Sequence, residues 1–254
     1  MPYLRRRGED PLFVLASGVM HGGPFNYEYQ QPFVEAIVRD GDPHNFTDPD
    51  RNEEFLRTGF VPGEKPEQIQ ATLTGKPAIT PRKRTAMAYK VLSKRMAEAM
   101  KVYIKACGDD GVRCKEKNGQ IDLMNRLRDV SGFKVAPKIR ALMWEYFGDD
   151  DAVAVDRHVA NWACKDARLV CAVDNEGNEI KWKKGDNVPQ KMFDVVGDAV
   201  RDEAPKCEIT AAELQVAAWT KGACRATGRK GNLYLGEGGS IPCGKFKAGK
   251  LVTL

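Results

Sequence analysis

Apolar residues recur at helical spacing through most of the chain, and this periodicity is the main guide to its elements. Residues 11–23, Pro-Leu-Phe-Val-Leu-Ala-Ser-Gly-Val-Met-His-Gly-Gly, are almost continuously apolar and predict a buried helix ending at the glycine pair. Residues 24–33 are rich in aromatic and amide side chains and predict a loop. Residues 41–81 carry Asp, Pro, Gly and Thr with little sustained period, which predicts a long irregular excursion holding one short helix. Over 82–106, Ala88, Leu92, Ala99, Tyr103 and Ala106 share one helical face. A polar break with three glycines follows at 108–119. Ile121, Leu123, Met124, Leu127 and Val130 then mark a short amphipathic helix over 121–130, and Ile139, Leu142, Met143 and Tyr146 mark another, ending at Phe147-Gly148. Asp149-Asp150-Asp151 reads as a turn, with Asp156 near the start of the next helix.

Beyond residue 165 the pattern changes. Leu169–Val173 and Glu179–Trp182 flank Asp174-Asn175-Glu176-Gly177-Asn178, which predicts a β-hairpin within 166–189. Met192, Phe193, Val195, Val196, Ala199 and Val200 predict a helix over 190–203. Thr210-Ala211-Ala212-Glu213 is a capping box opening a helix over about 210–226. The last segment, 227–254, reads as short strands and turns. The expected fold is therefore mainly α, with a small β-hairpin and a β-rich C-terminal segment.

Composition narrows the class without naming a function. The 254 residues are 42% hydrophobic and 30% charged, which fits a folded chain and argues against global disorder. A net charge of +5 permits nucleic-acid binding without requiring it. Distribution says more than the total. Lys90, Lys94, Lys101 and Lys105 lie within a narrow arc of the 82–106 helix, and a stripe of one sign suits contact with a polyanion. A solvated lysine face is the alternative. The seven cysteines contain no Cys-x-x-Cys pair, so a zinc ribbon is not expected, and they read as reduced, mostly buried thiols of a cytosolic protein. No apolar run approaches a membrane span, and the first residues lack the apolar core of a signal peptide. The reading is a monomer of the cytoplasm, nucleoid-associated or in a phage-infected cell, with no metal and no cofactor.

The candidate chemistry lies between residues 121 and 159. Helix, the turn Val130-Ser131-Gly132-Phe133-Lys134, and helix form a helical hairpin. Such a turn aims backbone N–H groups and a helix dipole at a phosphate, and glycine permits close approach. Pro137-Lys138-Ile139 opens the second helix, and Ala152-Val153-Ala154-Val155-Asp156-Arg157-His158-Val159 follows at a distance. By itself an aspartate in that position reads as an N-cap.

Hairpin, lysine, loop and an apolar-Val-Asp-x-His-apolar stretch together resemble the helix–hairpin–helix DNA glycosylase superfamily, which includes endonuclease III and the 8-oxoguanine glycosylases. The resemblance covers about residues 10–165, with a gap over 41–81. It implies one glycosylase-like unit over 1–254, with two helical lobes, 1–81 plus 190–226 and 82–165, the hairpin 166–189 as an insertion and 227–254 as a C-terminal extension. It implies double-stranded DNA with a flipped base as partner. Asp156 would be the catalytic carboxylate. Lys138, or Lys134 in an alternative alignment, would be the lysine of a bifunctional enzyme with lyase activity. Gly132, Phe133, Lys134 and Arg157 would contact DNA together with the lysine stripe, and Phe25, Tyr27 and Tyr29 would line a base pocket. The implied activity is excision of a damaged or modified base. Two other readings stay open: a phage-type relative engaged in base hypermodification, and a non-catalytic DNA-binding module in which Asp156 only caps a helix.

Overall fold

The computed structural model describes residues 10–21, 27–58, 83–130, 133, 137–167, 188, 190–227, 232–234 and 240–242. Among these the chain is mainly helical, as the periodicity requires. The helices are α1 (Pro11–His21), α2 (Tyr27–Asp40), α3 (Pro49–Thr58), α4 (Lys83–Cys107), α5 (Lys117–Leu127), α6 (Pro137–Tyr146), α7 (Arg157–Asn161), α8 (Gln190–Glu203) and α9 (Ala211–Thr227). Single turns of tighter helix stand at Pro43–Phe46, Val112–Lys115 and Ala204–Cys207, and Trp162–Asp166 is a π-turn. Asn232–Tyr234 and Ser240–Pro242 pair antiparallel, with Leu233 opposite Ile241. The β-hairpin expected within 166–189 lies outside the described residues, apart from 166, 167 and 188.

The chain divides into two compact units, Met1–Phe147 and Gly148–Leu254. The boundary falls inside the stretch 82–165 that the resemblance implies is one lobe.

In the first unit, α1 is buried along its whole length from Pro11 to Met20. It packs against α2, α4 and α6. The contact with α6 is close: a Cβ on Gly18 would lie 2.6 Å from Met143 Sδ, so a larger residue there would have to push the methionine side chain aside. The aromatic rings of Phe33, Phe46 and Phe55 meet edge-on, with centroids 5.2 and 5.6 Å apart, and tie α2 and the Pro43–Phe46 turn to α3. Asn52 is fully buried and donates from Nδ2 to Phe46 O and Ser93 O, at 2.8 and 3.4 Å, which links α3 to α4.

Three sequence expectations change here. The loop expected at 24–33 is helical from Tyr27. Pro32, which removes one backbone donor, obscures the period that buries Phe33, Val34, Ala36 and Ile37. The polar break at 108–119 is shorter than expected. Gly119 belongs to the first turn of α5, and a Cβ there would overlap the Arg113 carbonyl. The cysteines are not all reduced. Cys107 and Cys114 form a disulfide across the Gly108–Gly111 turn, with Cα atoms 4.8 Å apart. Helix α4 ends at Cys107 and the following turn folds straight back, a proximity that spacing alone did not reveal.

The second unit is built around Val153, Val155, Val159, Trp162, Met192, Val196, Val200 and Leu214, all buried. Apolar positions of α8 and α9 supply one side, and the extended run Val153-Ala154-Val155 with α7 supplies the other. The capping box forms as expected. Thr210 N–H donates to Glu213 Oε2 at 2.9 Å, and Glu213 N–H donates to Thr210 Oγ1 at 3.2 Å. Gly148 has φ +87, a left-handed conformation suited to glycine just past a helix end.

Candidate active site

Asp156 ends a buried extended run. Val153, Ala154 and Val155 are 3%, 1% and 1% exposed and lead from the polar Asp149–Asp151 turn into α7. The turn is anchored from within the unit. Ala212 N–H donates to Asp150 O at 3.1 Å, and Arg201 Nη1 donates to Asp151 O at 3.4 Å. Asp156 itself is half-buried with extended backbone, φ −128 and ψ −176. Its Oδ1 accepts from His158 N–H at 2.8 Å and from Val159 N–H at 3.1 Å. The carboxylate therefore caps α7 and is held in one orientation by two backbone donors. His158 packs edge-on against the Trp219 ring, 6.4 Å between centroids, and Arg157 Nε donates to His158 Nε2 at 3.5 Å. Arg157 is exposed at the first position of α7, and His158 is held against the core of the unit.

The hairpin lies in the first unit. Lys117 Nζ, at the start of α5, stands 4.5 Å from the centroid of the Trp144 ring in the last turn of α6. Arg128–Val130 continue α5 as turns, with Arg128, Asp129 and Val130 N–H donating to Asn125, Arg126 and Leu127 O. Lys138 is half-buried at the second position of α6. Gly132 and Lys134 lie outside the described residues. Phe133 is 0% exposed, and its side chain packs in the core of the unit.

Glu145, absent from the sequence reading, shares the Lys138 face of α6 two turns further on. Burial pushes its carboxyl up to about 8, so it holds a proton at neutral pH. The signal available in the sequence was the seven-residue step from Lys138, which returns to nearly the same side of a helix.

Lys90, Lys94, Lys101 and Lys105 are all exposed along α4 and span about 22 Å at 1.5 Å per residue. Lys94 Nζ lies 4.0 Å from Glu98 Oε1, at the outer limit of an ion pair. Of the proposed pocket residues, Phe25 lies outside the described residues, and Tyr27 and Tyr29 lie in the first turn of α2. Among the described residues, no group of three or more His, Cys, Asp or Glu side chains is arranged to hold a metal ion, and no helix is long and apolar enough to cross a membrane.

Comparison of the chain with protein-family models, with characterised proteins and with solved structures returns no match. The functional reading therefore stands on these residues and on the motif they carry.

Proposed function

We propose that this chain is a DNA glycosylase of the helix–hairpin–helix type, with Asp156 as the catalytic carboxylate. The observation that carries the reading is the setting of Asp156: a half-buried carboxylate, at the end of a buried apolar run, oriented by two backbone N–H groups. Cleavage of an N-glycosidic bond builds positive charge on the sugar. A fixed carboxylate stabilises that charge or activates the attacking water. The base would be flipped out of the stack before cleavage, with the duplex held by the α5–α6 hairpin and the exposed lysines of α4. Lys138 is the nucleophile of the lyase form of the reaction, in which its amine adds to the sugar C1′ as the bond from C1′ to the base breaks and the base departs.

The same two hydrogen bonds favour a second reading, a DNA-binding module in which Asp156 is a helix cap and nothing more. Incubation with duplexes carrying a panel of damaged and modified bases separates the two. Release of free base from one lesion class supports the glycosylase. Salt-sensitive binding to the duplexes with no base released from any of them supports the binding module. Borohydride trapping of a covalent adduct tests the lysine, and an adduct that survives Lys138→Ala but not Lys134→Ala reassigns it.

A further inference from the structure

The Cys107–Cys114 disulfide has no part in the site described above, yet it stands at the joint between two helices to which DNA contacts are assigned. It ties the last residue of α4, just beyond Lys105, to the Val112–Lys115 turn that leads into α5. Both cysteines are buried. The segment that bridges them is a surface turn: Asp109, Asp110, Val112 and Arg113 are exposed and Gly108 is half-buried.

Three elements meet on this turn. Arg113 Nη2 donates to Lys105 O at 3.2 Å and to Ile104 O at 3.4 Å, which caps the last turn of α4. His44 Nε2 and Asp109 Oδ1 stand 2.9 Å apart and join the turn to Pro43–Phe46. The Arg113 carbonyl lies against Gly119 in the first turn of α5, and Cys114 Sγ lies 3.3 Å from Gly119 O. In the bridged state that sulfur carries no proton. As a thiol it can donate to the same carbonyl, so it has a place in either state. The bond spans a sequence separation of only 7, and a short loop gains little freedom when it opens. Its loss therefore loosens the turn and leaves the packed helices folded. DNA is kept where thiols are held reduced, and a disulfide in such a compartment is as a rule transient or redox-sensing.

We propose that the Cys107–Cys114 bond is a redox latch on DNA binding. Closed, it holds Lys105 and the start of α5 in one arrangement; opened by a dithiol, it releases them and weakens the grip on a duplex. The proposal rests on the reading of this chain as a DNA-binding protein and adds the regulation of that binding. Local opening of the surface turn admits the reductant. A thiolate of the dithiol attacks one sulfur, and the other leaves as a thiolate and takes up a proton. The second thiol of the dithiol, as its thiolate, then attacks the mixed disulfide and releases the remaining cysteine, which is protonated in turn. Two electrons and two protons pass to the protein, and the dithiol ends as a disulfide.

The test compares the oxidised chain with the chain treated with dithiothreitol, the state of both cysteines being read by alkylation of the native protein and peptide mass. Hydrogen exchange over residues 104–119 is measured in each state, together with the salt dependence of binding to a short undamaged duplex by fluorescence anisotropy. Reduction is expected to speed exchange over 104–119 and to flatten the slope of log affinity against log salt by roughly 0.9, the loss of one phosphate contact. Oxidised Lys105→Gln has the flatter slope already, and reduction changes it no further. The double variant Cys107→Ser, Cys114→Ser behaves as the reduced wild type with or without dithiothreitol. The wild type is measured in both states, so the test holds even if the double variant folds poorly. A bond that dithiothreitol does not open in the folded protein overturns the latch, as does unchanged exchange after reduction of both cysteines. Faster exchange with equal slopes in the two states also overturns it, because the turn then moves without touching DNA binding. A redox-dependent slope with no base release from any lesion removes the glycosylase reading and leaves the latch standing. A wild type that binds no duplex in either state overturns both.

Discussion

Substitution of Asp156 separates the two roles its geometry supports. Oδ1 accepts from the N–H groups of the second and third residues of α7, His158 and Val159, at 2.8 and 3.1 Å. Asparagine retains an acceptor oxygen of the same reach and is as good an N-cap as aspartate, so Asp156→Asn keeps both hydrogen bonds. What it removes is the negative charge against the helix N-terminus, a loss of about 0.3–1 kcal/mol. Alanine removes the acceptor as well and leaves two half-buried donors unmatched, which costs about 1–2 kcal/mol. The expected order of stability is wild type, then Asn, then Ala, with melting temperatures separated by about 2–4 °C per kcal/mol for a chain of this size. Urea denaturation followed by circular dichroism gives the same order as midpoints at constant m-value. A catalytic carboxylate predicts a different order for activity. Asn and Ala both lose about a hundredfold or more in single-turnover base release, although Asn is nearly as stable as the wild type. Base release by Asp156→Asn comparable to that of the wild type refutes the catalytic assignment and leaves Asp156 as a cap.

Three further outcomes follow from the fold. Replacing Cys107 and Cys114 by alanine opens the short loop they close and lowers stability by about 2 kcal/mol, and a reducing agent produces the same drop in the wild type but none in the double variant, read by differential scanning. Gly119→Ala drives a methyl into the Arg113 carbonyl, which belongs to backbone and cannot swing away; a loss of about 3 kcal/mol or more is expected, seen as a fall in denaturation midpoint. Glu145 has an ordinary value of 4.5 raised to about 8 in the folded chain, so the folded state holds the extra proton between those limits. Its contribution is favourable at low pH and is lost as pH rises toward and past 8; melting of the wild type should therefore fall across that window more steeply than melting of Glu145→Gln, and parallel curves would show that this carboxyl ionises normally.

The helical character of the protein was legible in the sequence because it is a property of local spacing. The apolar residues of α1, α4, α6, α8 and α9 recur with the period of a helix, and each of these segments is buried on the face that its pattern marks. The Thr210–Glu213 capping box involves four consecutive residues, and its two hydrogen bonds form as the sequence implies. Asp156 was legible in the same way, as a short polar residue between an apolar run and a helix.

What the sequence left undecided depends on residues that are distant along the chain or on competing local signals. Pro32 masks a helix whose burial against α1 outweighs the lost backbone donor. Phe133 lies in the expected DNA-facing turn, yet its apolar surface is satisfied by complete burial, and only packing decides which way a turn residue faces. The Cys107–Cys114 bond depends on the chain doubling back after α4. Periodicity fixes which face of a helix is apolar, through the geometry of the helix itself. Which charges end up side by side, and which carboxyl loses its water, is set by how those faces are brought together, because desolvation and Coulomb repulsion act through space and not along the chain.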